Sequence, residues 1–231
     1  MARKRKHRLT RHDLKTDRFV ESTMEFVTTA KHHAPRLVFS AIGFIFVLLI
    51  IAYIANGRKR ANLQADQFLS SATASYMNGD FETARDALED ITTRFWGTRA
   101  SHEALFYLGN TYYALNDYDN AIKNFEQFLK RRTKWPLLKA SAAVGIANCY
   151  EQKGQYLLAA EEYEKVADRF PDSPIAPEAL ISAARCYQAM AQPQAAKPLY
   201  ERLKKDYPNS PLVAMADMYL RIQDGAEQAV R

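Results

Sequence analysis

The sequence predicts an all-α protein: a single transmembrane helix, then an α-solenoid of about four helix pairs, closed by a C-terminal capping helix. Three observations predict it. Leu37 to Ala55 is a run of 19 residues without a charge. After it, a pattern of small, aromatic and turn residues recurs four times. Gly and Pro are sparse, 8 and 9 in 231 residues, while Ala is abundant, a balance that favours helix.

Residues 1–36 form a basic arm with ten Lys/Arg and four Asp/Glu. Arg3 to Arg8 reads Arg-Lys-Arg-Lys-His-Arg, a topology and lipid-contact signal, with a nuclear or RNA signal as the alternative. Thr10 to Asp13 resembles a capping box, and Asp13–His33 is expected to be helical. Phe19, Val20, Met24 and Val27 recur at helical spacing, so the arm is read either as an amphipathic helix on the headgroups or as a loosely ordered tail. His32 and His33 are adjacent, and adjacent helical residues do not face one metal site.

The run 37–55 has the length of a membrane span: 19 residues rising about 1.5 Å each reach roughly 28 Å, close to the ~30 Å hydrocarbon core. Pro35 is expected at a helix start. Tyr53 falls near the far interface, where amphipathic aromatics collect. A cleaved signal peptide is the competing reading, with Ala55-Asn56-Gly57 as the small-residue site, but its apolar stretch would be shorter and its lead shorter still. Ten basic residues precede the run and three, Arg58, Lys59 and Arg60, follow it closely. That asymmetry puts the N-terminus in the cytoplasm and the remainder across the membrane. Residues 56–64 read as a linker and 65–231 as the repeat domain.

The repeats align on four segments, residues 72–91, 109–128, 147–166 and 184–203. Each opens on a small residue: Ala72, Gly109, Ala147, Ala184. Three further come Ser75, Tyr112, Tyr150 and Tyr187. The turn follows, at Gly79-Asp80-Phe81, Asn116-Asp117-Tyr118, Gly154-Gln155-Tyr156 and Ala191-Gln192-Pro193. Then come Ala84, Ala121, Ala159 and Ala196, and after them Leu88, Phe125, Tyr163 and Tyr200. The small residues let two helices cross closely, and the large ones fill the space beside the crossing. Gly or Asn at the turn accepts the positive φ that ends a helix. The last two copies end in Phe170-Pro171-Asp172-Ser173-Pro174 and Tyr207-Pro208-Asn209-Ser210-Pro211. Pro171 and Pro208 stop the second helix there, and Asp172-Ser173 and Asn209-Ser210 are expected to cap the next. Pro211 to Gln223 reads as a closing helix, with Leu212, Met215, Met218 and Tyr219 covering the stack.

These residues resemble the tetratricopeptide-repeat family over positions 61–231. The anchors recur at 37, 38 and 37 residues, longer than the family's usual period of about 34. The lengthened period and the Phe/Tyr-Pro-x-Ser-Pro ending are similar to envelope proteins of the outer-membrane assembly and Tol-Pal type. The whole layout resembles the membrane-anchored ancillary subunit of the bacterial Sec translocon. The first copy departs most, with Trp96 where the late proline would stand. The resemblance implies a groove lined by first helices, with Tyr76, Phe106, Asn110, Tyr113, Asn148, Glu151, Arg185 and Gln188 as candidates for holding a peptide. It also implies a protein-interaction module anchored in the inner membrane and facing the periplasm. The partners would be translocon subunits, client chains or envelope complex members, with membrane lipids around the anchor. A scaffold of a cell-division or envelope machine and a cytosol-facing organelle receptor are the alternatives.

No enzyme is expected. The sequence has no phosphate-binding loop, no His-Glu-x-x-His, no Gly-x-Ser-x-Gly and no dinucleotide fingerprint, and it implies no cofactor, no metal and no small-molecule substrate. His102 is the one histidine after the apolar run, expected at the surface before the second copy. Glu161-Glu162 and Asp86, Glu89 and Asp90 read as solvated helix faces. Residues 61–231 carry 19 basic and 22 acidic side chains, so the folded part lacks the basic face that nucleic acid requires. Cys149 and Cys186 stand at equivalent places on successive first helices. Helices stacked about 8–10 Å apart favour two buried thiols over a disulfide, which stays the alternative. With no cysteine before Cys149, none follows the apolar run to carry a lipid.

Overall fold

The computed structural model describes residues 11–131 and 135–229. Every regular element among them is a helix: α1 (Arg11–Met77), α2 (Phe81–Arg94), α3 (Arg99–Ala114), α4 (Tyr118–Lys130), α5 (Pro136–Gln152), α6 (Tyr156–Arg169), α7 (Ala176–Ala189), α8 (Pro193–Asp206) and α9 (Val213–Ala229). The chain divides into two units, Met1–Arg58 and Lys59–Arg231.

The first unit holds the early part of α1. Helix covers Asp13–His33 and continues through Pro35, so that proline sits inside a helix and not at its start. Its ring removes one helical hydrogen bond there without ending the element. Arg3 to Arg8 and Thr10 lie outside the described residues. Val20, Met24 and Val27 are exposed. So are the bulky residues from Val38 to Ile54, including Phe39, Phe44, Phe46 and Tyr53, and none of the described residues of that run is buried. Positions 56–64, read from sequence as a linker, are helical within α1.

In the second unit, the end of α1 and helices α2 to α8 make four pairs, and α9 closes the array. Contacts run between neighbours in chain order, with α3 also touching α5. Apolar side chains follow the stack as three adjoining clusters, the first around Leu88 and Ile91, the second around Phe125 and Phe128, the third around Tyr163, Leu180 and Tyr200. A chain whose contacts are mostly between adjacent pairs is a quasi-one-dimensional solenoid.

One turn is used four times inside the pairs. Gly79, Asn116, Gly154 and Ala191 adopt φ of 80°, 61°, 71° and 57°. Each donates its N–H to the carbonyl three residues back, and the next residue donates to the carbonyl five residues back, as in Gly79 to Tyr76 and Asp80 to Ser75. This paired pattern satisfies the last carbonyls of the first helix. Asp80, Thr98 and Asp117 then accept N–H groups of Thr83, Ser101 and Asn120 and cap α2, α3 and α4. The proline-rich connections behave differently from the sequence expectation. Asp172 and Asn209 do not cap, and α7 starts from Ile175 without a side-chain cap bond. Ser173 and Ser210 instead accept the N–H of Ile175 and Leu212, both at 3.3 Å, two residues on, in local turns ahead of α7 and α9.

The seam between pairs is tightest at Phe125 of α4. Its ring, 1% exposed, lies between Gly109 of α3 and Gly145 of α5. A Cβ at either glycine would stand 2.6 Å from a ring carbon. Leu88, Tyr163 and Tyr200 take the matching places and are equally buried. At the C-terminal end, Tyr219 stacks on Tyr200 with centroids 5.1 Å apart, and Leu212, Val213 and Leu220 pack beside buried Ala216. Met218 does not join the cap; it is 47% exposed, because Ala216, Tyr219 and Leu220 turn the other face of α9 to the stack.

Two outcomes follow for stability. Gly109→Ala overpacks a ring with nowhere to withdraw and costs about 1–3 kcal/mol; adding Phe125→Leu, which recreates the Ala72 and Leu88 combination of the first pair, recovers part of the loss in denaturant titrations of the two variants. Ala191→Gly relieves a left-handed backbone that costs a residue with a Cβ about 1–2 kcal/mol, partly offset by the freer unfolded glycine, so calorimetry should show a thermal midpoint a few degrees higher.

Candidate protein-interaction groove

The eight residues proposed from sequence all lie on first helices: Tyr76 on α1, Phe106, Asn110 and Tyr113 on α3, Asn148 and Glu151 on α5, Arg185 and Gln188 on α7. Arg185 is exposed and the rest are half-buried. The structure sorts most of them into two groups of different chemistry.

The first group is aromatic. Tyr76 meets Phe81 and Tyr107 edge-on, with centroids 5.7 and 6.0 Å apart, and Phe106 meets Tyr107 and Phe128, each at 5.6 Å. Tyr107 therefore links Tyr76 and Phe106 into one row across α1 and α3. The sequence comparison overlooked it, because no matching aromatic stands at its place in the other copies. Tyr113 packs on Tyr118 at 5.7 Å. Edge-to-face aromatic contacts of this kind add about 0.5–1.5 kcal/mol beyond the area they bury.

The second group is polar and self-engaged. The Tyr163 hydroxyl of α6 lies 2.5 Å from Asn148 Oδ1 and 2.8 Å from Glu151 Oε2, and its one proton is shared between these two acceptors. Arg185 Nη2 donates to both Glu151 oxygens at 2.9 Å, tying α7 to α5. Asn148 and Glu151 share one face of α5 because they are three residues apart. Burial, and then the Glu151 carboxylate, raise the Tyr163 pKa far above its usual range, so the phenol stays protonated and donating. Three of the proposed groove residues thus serve one another before any ligand arrives, and the hub that joins them, Tyr163, was legible in sequence only as a space-filler. Between pairs, Tyr112 donates to Glu89 and Tyr187 to Glu164, the latter at 2.9 Å. Burial and the carboxylate hold both phenols at about 12. Glu89 is exposed, as expected of a solvated helix face, and its carboxylate also accepts the Tyr112 hydroxyl.

The repeat anchors divide by role. Ala121, Ala159 and Ala196 are fully buried at the crossings, Gly109 is the contact for Phe125, and Gly154 is a turn. Tyr112, Tyr150 and Tyr187 are half-buried, while Pro171 and Pro208 are exposed in the connections. Around the latter lie two open depressions of about 370 and 610 Å³. A smaller cup of about 280 Å³ opens between α3 and the start of α5, next to Phe106 and Tyr107.

His102 is not a surface residue of a linker. It lies in α3, half-buried, its Nε2 3.0 Å from the carbonyl of Phe128 and its ring 4.7 Å from that phenyl. Cys149 and Cys186 are free and buried, and burial pushes their thiols up to about 12 and 11, which leaves them protonated and unreactive. Among the described residues, no group of three or more His, Cys, Asp or Glu side chains is placed to hold a metal.

A stack of two-helix units with this turn, these small-residue crossings and a lining of first helices has the fold of tetratricopeptide-repeat proteins. Tetratricopeptide-repeat models match residues 108–174 and 151–217, and the model of an outer membrane lipoprotein family matches residues 61–139. Comparison with curated proteins finds no significant match. Similar solved structures include the kinesin light chain TPR-like repeats of Podosopora anserina, at 20% identity, covering 71% of this chain and 88% of that one with a TM-score of 0.54. BtubC from P. vanneervenii is similar at 16% identity, 70% and 72% coverage and a TM-score of 0.54. YrrB, described as a TPR protein with an unusual peptide-binding site, is similar at 14% identity, 67% and 74% coverage and a TM-score of 0.50. The repeat models and the envelope family together support a protein-interaction adaptor.

Burial holds His102 below its ordinary pKa of 6.5, with the Phe128 carbonyl opposing that shift. The unfolded chain therefore takes up the proton first, and stability falls as pH drops below about 6.5. His102→Gln keeps a donor for the Phe128 carbonyl and removes the titration, so its melting point should decline less than that of the parent between about pH 7 and pH 5.

Proposed function

We propose that this chain is a membrane-anchored adaptor whose N-terminus is cytoplasmic and whose repeats face the periplasm. There they bind translocon subunits, emerging client chains or members of an envelope complex. The observation that carries this reading is the apolar run of α1 from Val38 to Ile54, whose described large side chains are all exposed. Apolar surface left in water costs about 25 cal/mol per Å², and a bilayer is a solvent of matching length that removes the cost. The excess of basic residues before the run supports the orientation, and the arm itself suits anionic headgroups. The match of residues 61–139 to an outer membrane lipoprotein family supports an envelope setting. In this chain the apolar run, and not a lipid on cysteine, does the anchoring, since Cys149 is the first cysteine.

Anchoring confines the repeats to a thin layer and raises their effective concentration against neighbours, so modest groove contacts suffice. The aromatic row at Tyr76, Tyr107 and Phe106 supplies contact area, and Asn110 and Gln188 supply amides for a peptide backbone.

Photo-crosslinking residues placed at positions 106, 110 and 148 in living cells should capture a defined envelope protein or nascent chain. A C-terminal tag should be digested once the outer membrane is opened, with an N-terminal tag protected. No captured protein removes the adaptor reading, and a protected C-terminus reverses the orientation.

A further inference from the structure

We infer that Trp96, at the end of the first helix pair, rests in the headgroup layer of the membrane, with Lys59 and Arg60 drawing that end to anionic lipid. The inference rests on the membrane-anchored reading above and gives the repeat domain a lipid contact of its own. Trp96 is 77% exposed and belongs to none of the three apolar clusters of the stack. A large aromatic side chain left outside a core marks an interaction surface more often than a packing role.

A closed turn holds Trp96 out. The Thr98 N–H donates to the Phe95 carbonyl at 3.1 Å, the Thr98 hydroxyl donates to the same oxygen at 2.8 Å, and Gly97 takes a φ of 83°. Two later connections close in the same way, Ser173 to Phe170 and Ser210 to Tyr207, both at 2.9 Å. There Pro171 and Pro208 stand in the place of Trp96. Proline suits that place because its φ is already set for the turn. Tryptophan brings no such advantage, so the turn does not account for it. Of these three turns, the one that carries it belongs to the copy next to the apolar run.

The first pair also places the turn. Phe81 meets Tyr76 and Phe95 meets Phe68, with centroids 5.7 and 5.6 Å apart, so α2 runs back along α1. Trp96 therefore lies at the end of the pair that Lys59 and Arg60 enter. Six residues lead from Ala55, the last of the apolar run, to Ala61, which packs on the cluster that holds Phe95. Six residues span at most about 20 Å in any conformation, which keeps this end of the pair close to the surface of a bilayer that holds the run.

The chemistry matches that layer. An indole joins an apolar ring to one N–H donor, the combination that collects at membrane interfaces. Beside the turn, Phe68 is exposed, and the Arg94 guanidinium lies 5.6 Å from its centroid and 5.4 Å from that of Phe95. Arg94 spends part of its charge on Asp90 at 3.5 Å, and Asp66, the one acid of α1 after the apolar run, interacts with Arg99. Lys59 and Arg60 are exposed and have no carboxylate partner among the described residues. Open cations beside an aromatic anchor suit anionic phospholipid headgroups.

Trp135→Phe leaves Trp96 as the sole tryptophan of the full chain. This variant is reconstituted in vesicles of phosphatidylethanolamine and phosphatidylglycerol, with and without phosphatidylcholine spin-labelled on its headgroup. The label should quench Trp96 emission about twofold. Lys59→Gln together with Arg60→Gln, or phosphatidylcholine in place of phosphatidylglycerol, should cut that quenching by about half. With both native tryptophans replaced by phenylalanine, Met218→Trp moves the reporter to the far end of the stack, and the label should leave it unquenched.

The inference is overturned if the label leaves Trp96 emission unchanged in chain that floats with the vesicles, and the anchored reading then stands without it. Chain that fails to float removes the anchored reading and the inference together. Equal quenching of the Met218→Trp reporter overturns it too, because the contact is then not particular to the first pair. Shielding of Trp96 from soluble iodide without quenching by the label assigns the residue to a protein contact and overturns the lipid assignment. Quenching indifferent to both cations and to phosphatidylglycerol overturns the part given to Lys59 and Arg60.

Discussion

The repeat domain depends on one kind of contact: a large side chain from the second helix of a pair, driven between the first helices of two successive pairs. Phe125 shows it in its most demanding form. Its ring occupies the gap left by two glycines on different helices, and either glycine would lose that fit by gaining a single methyl group. Leu88, Tyr163 and Tyr200 repeat the insertion with other shapes, and each is essentially fully buried. Since contacts in the stack run mostly between adjacent pairs, every such insertion is a link in series, and stability passes along the chain through them.

The same geometry sets what remains available for binding. The second-helix side chain that closes a seam also decides whether the neighbouring first-helix residues are free or occupied. Where the inserted group is Phe125, the adjacent lining is aromatic, from Phe106 to Tyr107 and Tyr76. Where it is Tyr163, a hydroxyl arrives with the ring and recruits Asn148, Glu151 and, through Glu151, Arg185. A buried phenol needs its hydrogen bond, since leaving it unmade costs about 1–3 kcal/mol. The early repeats therefore present apolar surface and the later ones a closed polar web.

Much of the architecture was legible because it rests on local rules. The four turns were visible as Gly79, Asn116 and Gly154, with Ala191 found only by alignment, since an alanine gives no sign of a positive φ. The crossings were visible as alanines at a fixed offset. Gly145 was not, because its meaning comes from a ring on another helix and not from its own neighbours in sequence. Tyr107, outside the repeating pattern, was passed over for the same reason that makes it useful: it joins two aromatics that the pattern treats separately. His102 and Met218 were misplaced in opposite senses. A polar residue proved half-buried because the end carbonyl of α4 reached it, and an apolar one proved exposed because α9 presents its other face.

By itself, then, the sequence determined the features governed by periodicity and composition: an uncharged helical run of membrane length, paired helices with small residues at their crossings, and two thiols too far apart for ready bridging. These follow from rise per residue, side-chain volume and backbone freedom, all properties of short stretches of chain. Only the tertiary structure decided which lining residues are spent on one another and which stay open. Hydrogen bonds such as Tyr163 to Glu151 and stacking such as Arg99 on Trp135 join atoms from separate segments of the chain. Whether they form depends on angstrom-scale helix spacing that no single segment encodes.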